Sequence, residues 1–103
     1  RRALLTGTNL QCTVMCLNSG EDIGKEQHNK ADQLLYVESG QCRCTFWQSN
    51  CRSTKCAEAG DCIFVPAGVE HNLCSTGNTP LKLFSIYSPP EHAPSTCQTC
   101  NPN

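Results

Sequence analysis

Apolar residues in this chain recur at every second position within short runs and seldom at any longer spacing. In Gln33–Val37, residues Gln33, Leu35 and Val37 share a face; in Gly68–Ser75, Val69, His71, Leu73 and Ser75 do, because side chains alternate across a strand. Leu10–Leu17, Gln41–Trp47, Asp61–Val65, Glu70–Ser75 and Leu83–Tyr87 are runs of the same kind. Turn residues separate them: Asn18-Ser19-Gly20, Ser39-Gly40, Gln48-Ser49-Asn50, Ala59-Gly60-Asp61, Pro66-Ala67-Gly68, Thr76-Gly77-Asn78 and Ser88-Pro89-Pro90. No stretch keeps a 3.6-residue period over three turns. The pattern predicts an all-β domain, an antiparallel sandwich or barrel. Beyond Ser88 the chain turns polar and proline-rich. The expected organisation is one barrel over residues 1–92 and an extended polar tail over 93–103, without an internal repeat.

Two predicted inward faces are mostly apolar and carry a single potential ligand each, Gln33 and His71. A polar group on such a face costs on the order of a few kcal/mol unless something satisfies it, and a metal ion is one such partner. Glu26 and His28 add two more candidates, since they alternate onto a common face.

These residues lie at a telling spacing. Gly20, five residues, Glu26, one, His28, four, Gln33, six, Gly40 resembles the first motif of the cupin superfamily, G-x5-H-x-H-x4-E-x6-G. Gly60, five residues, Pro66, one, Gly68, two, His71, three, Ser75 resembles the second, G-x5-P-x-G-x2-H-x3-N. Both fit without a gap, in the right order, and span Gly20 to Ser75. The resemblance implies a single-domain cupin barrel of the double-stranded β-helix, jelly-roll type. It also implies one divalent metal ion, with Glu26, His28, Gln33 and His71 as the ligand set. Glu26 stands where the motif has its first His, Gln33 where it has Glu, and Ser75 where it has Asn. The exchange keeps one carboxylate but moves it, and the Gln33 amide oxygen still carries lone pairs. Such a set leaves one or two positions open and suits Mn²⁺, Fe²⁺, Ni²⁺ or Zn²⁺ alike. The chain is also similar to small cupins that run Glu-x-His-x4-Gln, Pro-Ala-Gly-x-x-His-Asn and Tyr-Ser-Pro-Pro-Glu-His, commonly labelled sugar-phosphate-isomerase-like. Small cupins usually pair through a sheet, so the resemblance implies a homodimer.

Three functions compete. The first is a metal-dependent enzyme on a small polar molecule, an isomerase, epimerase or dioxygenase, with Glu26 a ligand and a possible base. The second is a non-catalytic module that captures a small molecule or metal. The third is a barrel that has lost its metal. A missing acid/base pair weighs against the first: no Asp, Lys or Tyr is expected to point inward near His71, Asp32 should face out, and Tyr87 and Phe84 should pack. Glu91 and His92, next to Pro89-Pro90, either fold over the barrel mouth or form a solvated tail, the second being preferred, and Cys97-x-x-Cys100 reads as incidental to the chemistry. Trp47, opposite in parity to Cys44 and Phe46, reads as a sheet-face or interface residue.

Charge and cysteine content refine the picture. Eight basic and nine acidic side chains, net charge -1, form no basic block, which argues against nucleic acid and anionic membranes as partners. No apolar run approaches the ~20 residues that span a bilayer. At 103 residues the chain can bury roughly 60–70% of its unfolded surface and needs no covalent staple. Ten cysteines would ordinarily mark a secreted disulfide scaffold. Here Cys12, Cys16, Cys42, Cys44, Cys62 and Cys74 fall within strand-like runs, where they read as small buried hydrophobes. Cys51 and Cys56 read as flanking a loop. The expectation is a mostly reduced, cytoplasmic protein.

Overall fold

In the computed structural model, which describes residues 1–97, the alternating runs become strands joined by tight turns. The strands are β1 (Arg2–Thr6), β2 (Gln11–Leu17), β3 (Asp32–Ser39), β4 (Gln41–Gln48), β5 (Cys51–Glu58), β6 (Cys62–Val65), β7 (Glu70–Ser75) and β8 (Leu81–Ser88). They form a five-stranded sheet in the order β1-β2-β8-β3-β6 and a three-stranded sheet in the order β5-β4-β7. Every pairing between them is antiparallel. The fold is all-β, as the alternation predicts, and no helix long and apolar enough to cross a membrane occurs among the described residues.

β3 passes into β4 at Gly40, whose φ is +88°. A Cβ there would lie 2.6 Å from the Pro80 carbonyl oxygen, so both the backbone angle and the close approach of the β7–β8 loop demand glycine.

Two strands depart from expectation. The alternation marks no strand over Arg2–Thr6, which forms β1, and the segment between Cys51 and Cys56, expected as a loop, forms β5. Each neighbours only one other strand, and β5 buries a single side chain, Ala57. An edge strand wet on nearly every side chain carries no apolar alternation to read. The expected burial of cysteines holds for Cys42 and Cys44 but not throughout: Cys12 and Cys74 are half-buried, while Cys16 and Cys62 are exposed. The last two sit on outward-facing positions of β2 and β6. The nine described cysteines are all free thiols. Cys100, the second half of Cys97-x-x-Cys100, lies outside the described residues. The tail begins by pairing with β1: the Ala3 amide donates to the Thr96 carbonyl at 3.0 Å, and Arg2 bridges Cys97.

The inward side of the large sheet is sorted along the strands. Register places Gln11, Tyr87, Gln33 and Val65 in one row across β2, β8, β3 and β6. The next inward row is Thr13, Ser85, Leu35 and Ile63, then Met15, Leu83 and Val37, and last Leu17 and Leu81. Opposite, β4 and β7 contribute Phe46 beside His71 and Cys44 beside Leu73. The apolar rows, with Ile23, Cys42 and Val69, make the hydrophobic core, where each fully buried Leu, Ile or Val contributes roughly 1.5–3 kcal/mol. The polar rows at the other end hold Gln11, Thr13, Gln33, His71 and Ser85, all buried.

The outer face of the same sheet is also apolar. Phe64, Leu34, Ile86, Cys12 and Leu5 form one row across all five strands, with Phe64 56% and Leu5 70% exposed. In the adjacent row Tyr36 and Phe84 stack with ring centroids 5.0 Å apart.

Candidate metal centre

His71 enters the barrel from the second position of β7 and is fully buried. Its Nδ1 lies 3.0 Å from the Val69 carbonyl. Donating there leaves Nε2 as the lone-pair nitrogen, buried and without a hydrogen-bond partner. Burial lowers the His71 pKa, so the ring is kept neutral, the form that binds metals.

Glu26 is set beside it by backbone. The amides of Glu26 and His71 each donate to the other's carbonyl at 2.8 Å. Two residues on, the His28 carbonyl accepts from the Gly68 amide at 2.8 Å, and the Gln27 side chain donates to the Gly68 carbonyl at 3.0 Å. The turn of the second motif thus holds the segment of the first. On the outside, Lys25 sits 4.3 Å over the Trp47 ring and 3.3 Å from Glu70, tying the loop to the small sheet; Trp47 is accordingly a sheet-face residue.

The result is a cluster: ligand atoms of Glu26, His28 and His71 all lie within 4.8 Å of one another. A metal with bonds of ~2.1 Å needs its donors no more than about 4.2 Å apart across the ion, so small side-chain adjustments close the shell. The His28 ring lies 5.4 Å from that of His71, and its Nε2 is also buried without a hydrogen-bond partner, 3.5 Å from Glu26 Oε1. Gln33 is buried on β3, donating through Nε2 to Ser85 Oγ at 3.3 Å and Tyr87 Oη at 3.0 Å. Both amide protons are then used, and Oε1 remains buried and unpartnered. Each such orphan costs about 1–3 kcal/mol. A divalent ion satisfies lone pairs of this kind, and imidazole with oxygen donors is a set that first-row divalent metals take. The residues fit the group.

Several residues of the site carry no motif. Arg1 Nη2 lies 2.9 Å from both Glu26 oxygens, with the two side chains 5% and 18% exposed. Burial alone would raise the Glu26 pKa, but His28 and Arg1 outweigh it and the pKa is lowered. Tyr87, expected only to pack and not to face His71's side of the barrel, is fully buried and points inward with its ring edge-on to His28 at 5.3 Å. Burial pushes its pKa up to about 12, so it stays a donor. Glu91 and His92, expected in a solvated tail, instead close over the mouth. Glu91 Oε2 is 3.3 Å from His28 Nδ1, and the His92 ring stands 5.9 Å from His28 and 5.0 Å from Tyr87. Asp32 faces outward as expected, accepting from the Ala67 amide at 2.9 Å. Tyr87 had a readable signal, since it keeps the parity of Leu83 and Ser85; Glu91 and His92 had only the neighbouring Pro89-Pro90, and Arg1 had none.

The barrel, the paired motifs and the clustered His, His and Glu define a cupin. A cupin domain model matches residues 13–87, and the chain belongs to that family. It is 47% identical over 94 residues to the uncharacterized protein YrkC of Bacillus subtilis, covering 89% of this chain and 50% of that one. It is 36% identical over 95 residues to the uncharacterized protein L612 of Acanthamoeba polyphaga mimivirus, covering 91% and 59%. The chain thus spans about half the length of these curated relatives. The crystal structure of BH2720 from Bacillus halodurans superposes with a TM-score of 0.88 at 46% identity, over 93% of this chain and 74% of that one. Bacillus subtilis oxalate decarboxylase, a protein with Mn(II) centres, superposes at 0.76 with 23% identity, over 84% of this chain and 23% of that one; this likeness concerns the fold alone.

Proposed function

We propose that the protein is a single-metal cupin that holds one divalent ion through Glu26, His28 and His71, with Gln33 Oε1 as a fourth donor, and acts on a small polar metabolite. The supporting observation is the cluster of Glu26, His28 and His71, whose ligand atoms lie within 4.8 Å of one another, together with the Nε2 atoms of both histidines, buried and without a hydrogen-bond partner. When bound, the ion supplies Lewis acidity to an oxygen of the metabolite.

The chain's own groups divide the remaining work. Glu26 has Arg1 on both oxygens, so it serves as a charged ligand rather than a base. Burial lowers the His92 pKa. That makes the ring a neutral proton acceptor at the mouth, the acid/base group that sequence reading lacked. Tyr87 stays protonated and donates. This set suits proton shuttling of the isomerase or epimerase kind better than capture alone. Exposed free thiols at Cys16, Cys51, Cys56, Cys62 and Cys97 suit a reducing cytoplasm. The apolar outer face of the large sheet supports a homodimer across it.

Elemental analysis of gently purified protein should find about one divalent ion per chain, and His71→Ala and Glu26→Ala should lose it. Turnover on a panel of sugar phosphates that both variants abolish establishes the enzyme. Saturable binding without turnover would favour a capture module, and a metal-free native protein would overturn the proposal.

A further inference from the structure

The two histidines are oriented by different means. His71 donates Nδ1–H to Val69, two residues away on its own chain segment, so its free Nε2 is locally encoded. His28 has its local carboxylate on the other side, Glu26 Oε1 at 3.5 Å from Nε2, and no local acceptor at Nδ1; the group 3.3 Å from Nδ1 is the carboxylate of Glu91, delivered from beyond β8.

Gln11 does the delivering. It is fully buried in the polar row of the large sheet. Its Oε1 accepts from the Glu91 amide at 3.1 Å and the His92 amide at 2.8 Å. Its Nε2 donates to the His92 carbonyl at 2.7 Å and Thr6 Oγ1 at 3.0 Å. Two donors and two bonds to the acceptor leave nothing of this amide unused. It binds the backbone of residues 91 and 92 as a neighbouring strand would. Pro89 and Pro90 limit the freedom of the approach, and Ser88 Oγ anchors its start by donating to the Asn9 carbonyl at 2.8 Å.

We propose that Glu91 is a positioning residue of the metal centre, placed by the Gln11 clamp so that His28 keeps its proton on Nδ1 and offers Nε2 inward. A histidine's free nitrogen is decided by the hydrogen bond the other nitrogen makes. A carboxylate in that place also raises the basicity of the ligand nitrogen, and its loss typically costs 10–100-fold in metal affinity. Its consequence for affinity rests on the metal reading above; the tautomer itself does not.

Two measurements test this on the full chain. Long-range proton–nitrogen NMR of metal-free protein, in alkaline solution where both rings are neutral, should show His28 and His71 protonated on Nδ1. Glu91→Ala and Gln11→Ala should release His28 from that tautomer and leave His71 in it, while Glu91→Gln, which still accepts through Oε1, should retain it. Titration with Mn²⁺ or Zn²⁺ alone, against a chelator, should show about 10–100-fold weaker binding in Glu91→Ala and most of the affinity restored in Glu91→Gln. If Gln11→Ala does not fold, Glu91→Ala, with no buried amide removed, decides by itself. A wild-type His28 tautomer in Glu91→Ala would overturn the proposal, as would unchanged affinity. Wild-type protein that takes no metal would instead refute the metal reading and leave the tautomer to judge Glu91.

Discussion

Glu26 and His71 exchange both of their backbone hydrogen bonds, each 2.8 Å long, so the carboxylate and the imidazole are held in register by main chain rather than by side-chain contact. A substitution that removes either side chain leaves this bridge standing. Loss of metal in Glu26→Ala or His71→Ala should therefore come without loss of the barrel, checked by circular dichroism alongside the metal content.

Metal affinity should climb with pH past the ordinary histidine range. Both rings must be neutral to ligate. Burial works against a proton on His28, yet the Glu26 and Glu91 carboxylates outweigh it and raise its pKa; burial lowers that of His71. Proton competition is then set by His28 and persists above pH 6.5, its ordinary value. Chelator competition across a pH series should plateau only above that point, and Glu91→Gln, with one carboxylate fewer, should plateau at lower pH. In the metal-free fold the raised His28 pKa stabilises fully below 6.5, and this contribution fades as pH rises through the folded value.

Tyr87→Phe should destabilise the barrel by about 1–3 kcal/mol, because the Gln33 Nε2–H at 3.0 Å loses its acceptor in a dry setting. Urea unfolding of the two proteins measures the difference. An equal midpoint would mean that Ser85, 3.3 Å from the same nitrogen, is sufficient alone.

The thiols should divide by reactivity. Burial pushes Cys42 up to about 11 and Cys44 up to about 12, so neither presents a thiolate near neutral pH. Alkylation of native protein followed by mass spectrometry should mark Cys16, Cys51, Cys56, Cys62 and Cys97 and spare these two. Because the ordinary thiol value, 9.0, lies below both, stability should decline as pH rises from 9 toward 11.

Phe64→Ser combined with Leu34→Ser should shift the proposed dimer toward monomer in sedimentation. The two side chains are cross-strand neighbours on the outer face, and polar replacements leave the interior rows untouched. Unchanged sedimentation would exclude this face as the dimer contact.

Strands β2, β3, β4, β6, β7 and β8 were legible because each has one dry and one wet face, and alternation records that difference. β1 and β5 were not, since edge strands with few buried residues have no contrast to record. Within the site, Glu26, His28 and His71 were legible by spacing, as two motifs close in sequence supply them. Arg1, Gln11, Glu91 and His92 come from opposite ends of the described chain, and only the completed sheet brings them together. Of the two readings of Glu91 and His92, the fold over the mouth is the one found, and the sequence could not favour it because the amide that captures the segment belongs to Gln11, 80 residues earlier.

The lengthwise sorting of the interior separates two kinds of tolerance to change. Near Leu17, Val37 and Leu81, substitutions alter how firmly the molecule holds together and hardly reach the mouth. Around Gln11, Gln33 and Tyr87 they also disturb the buried hydrogen bonds that arrange the mouth. A barrel arranged in this way can change its chemistry at one end while the other keeps it folded.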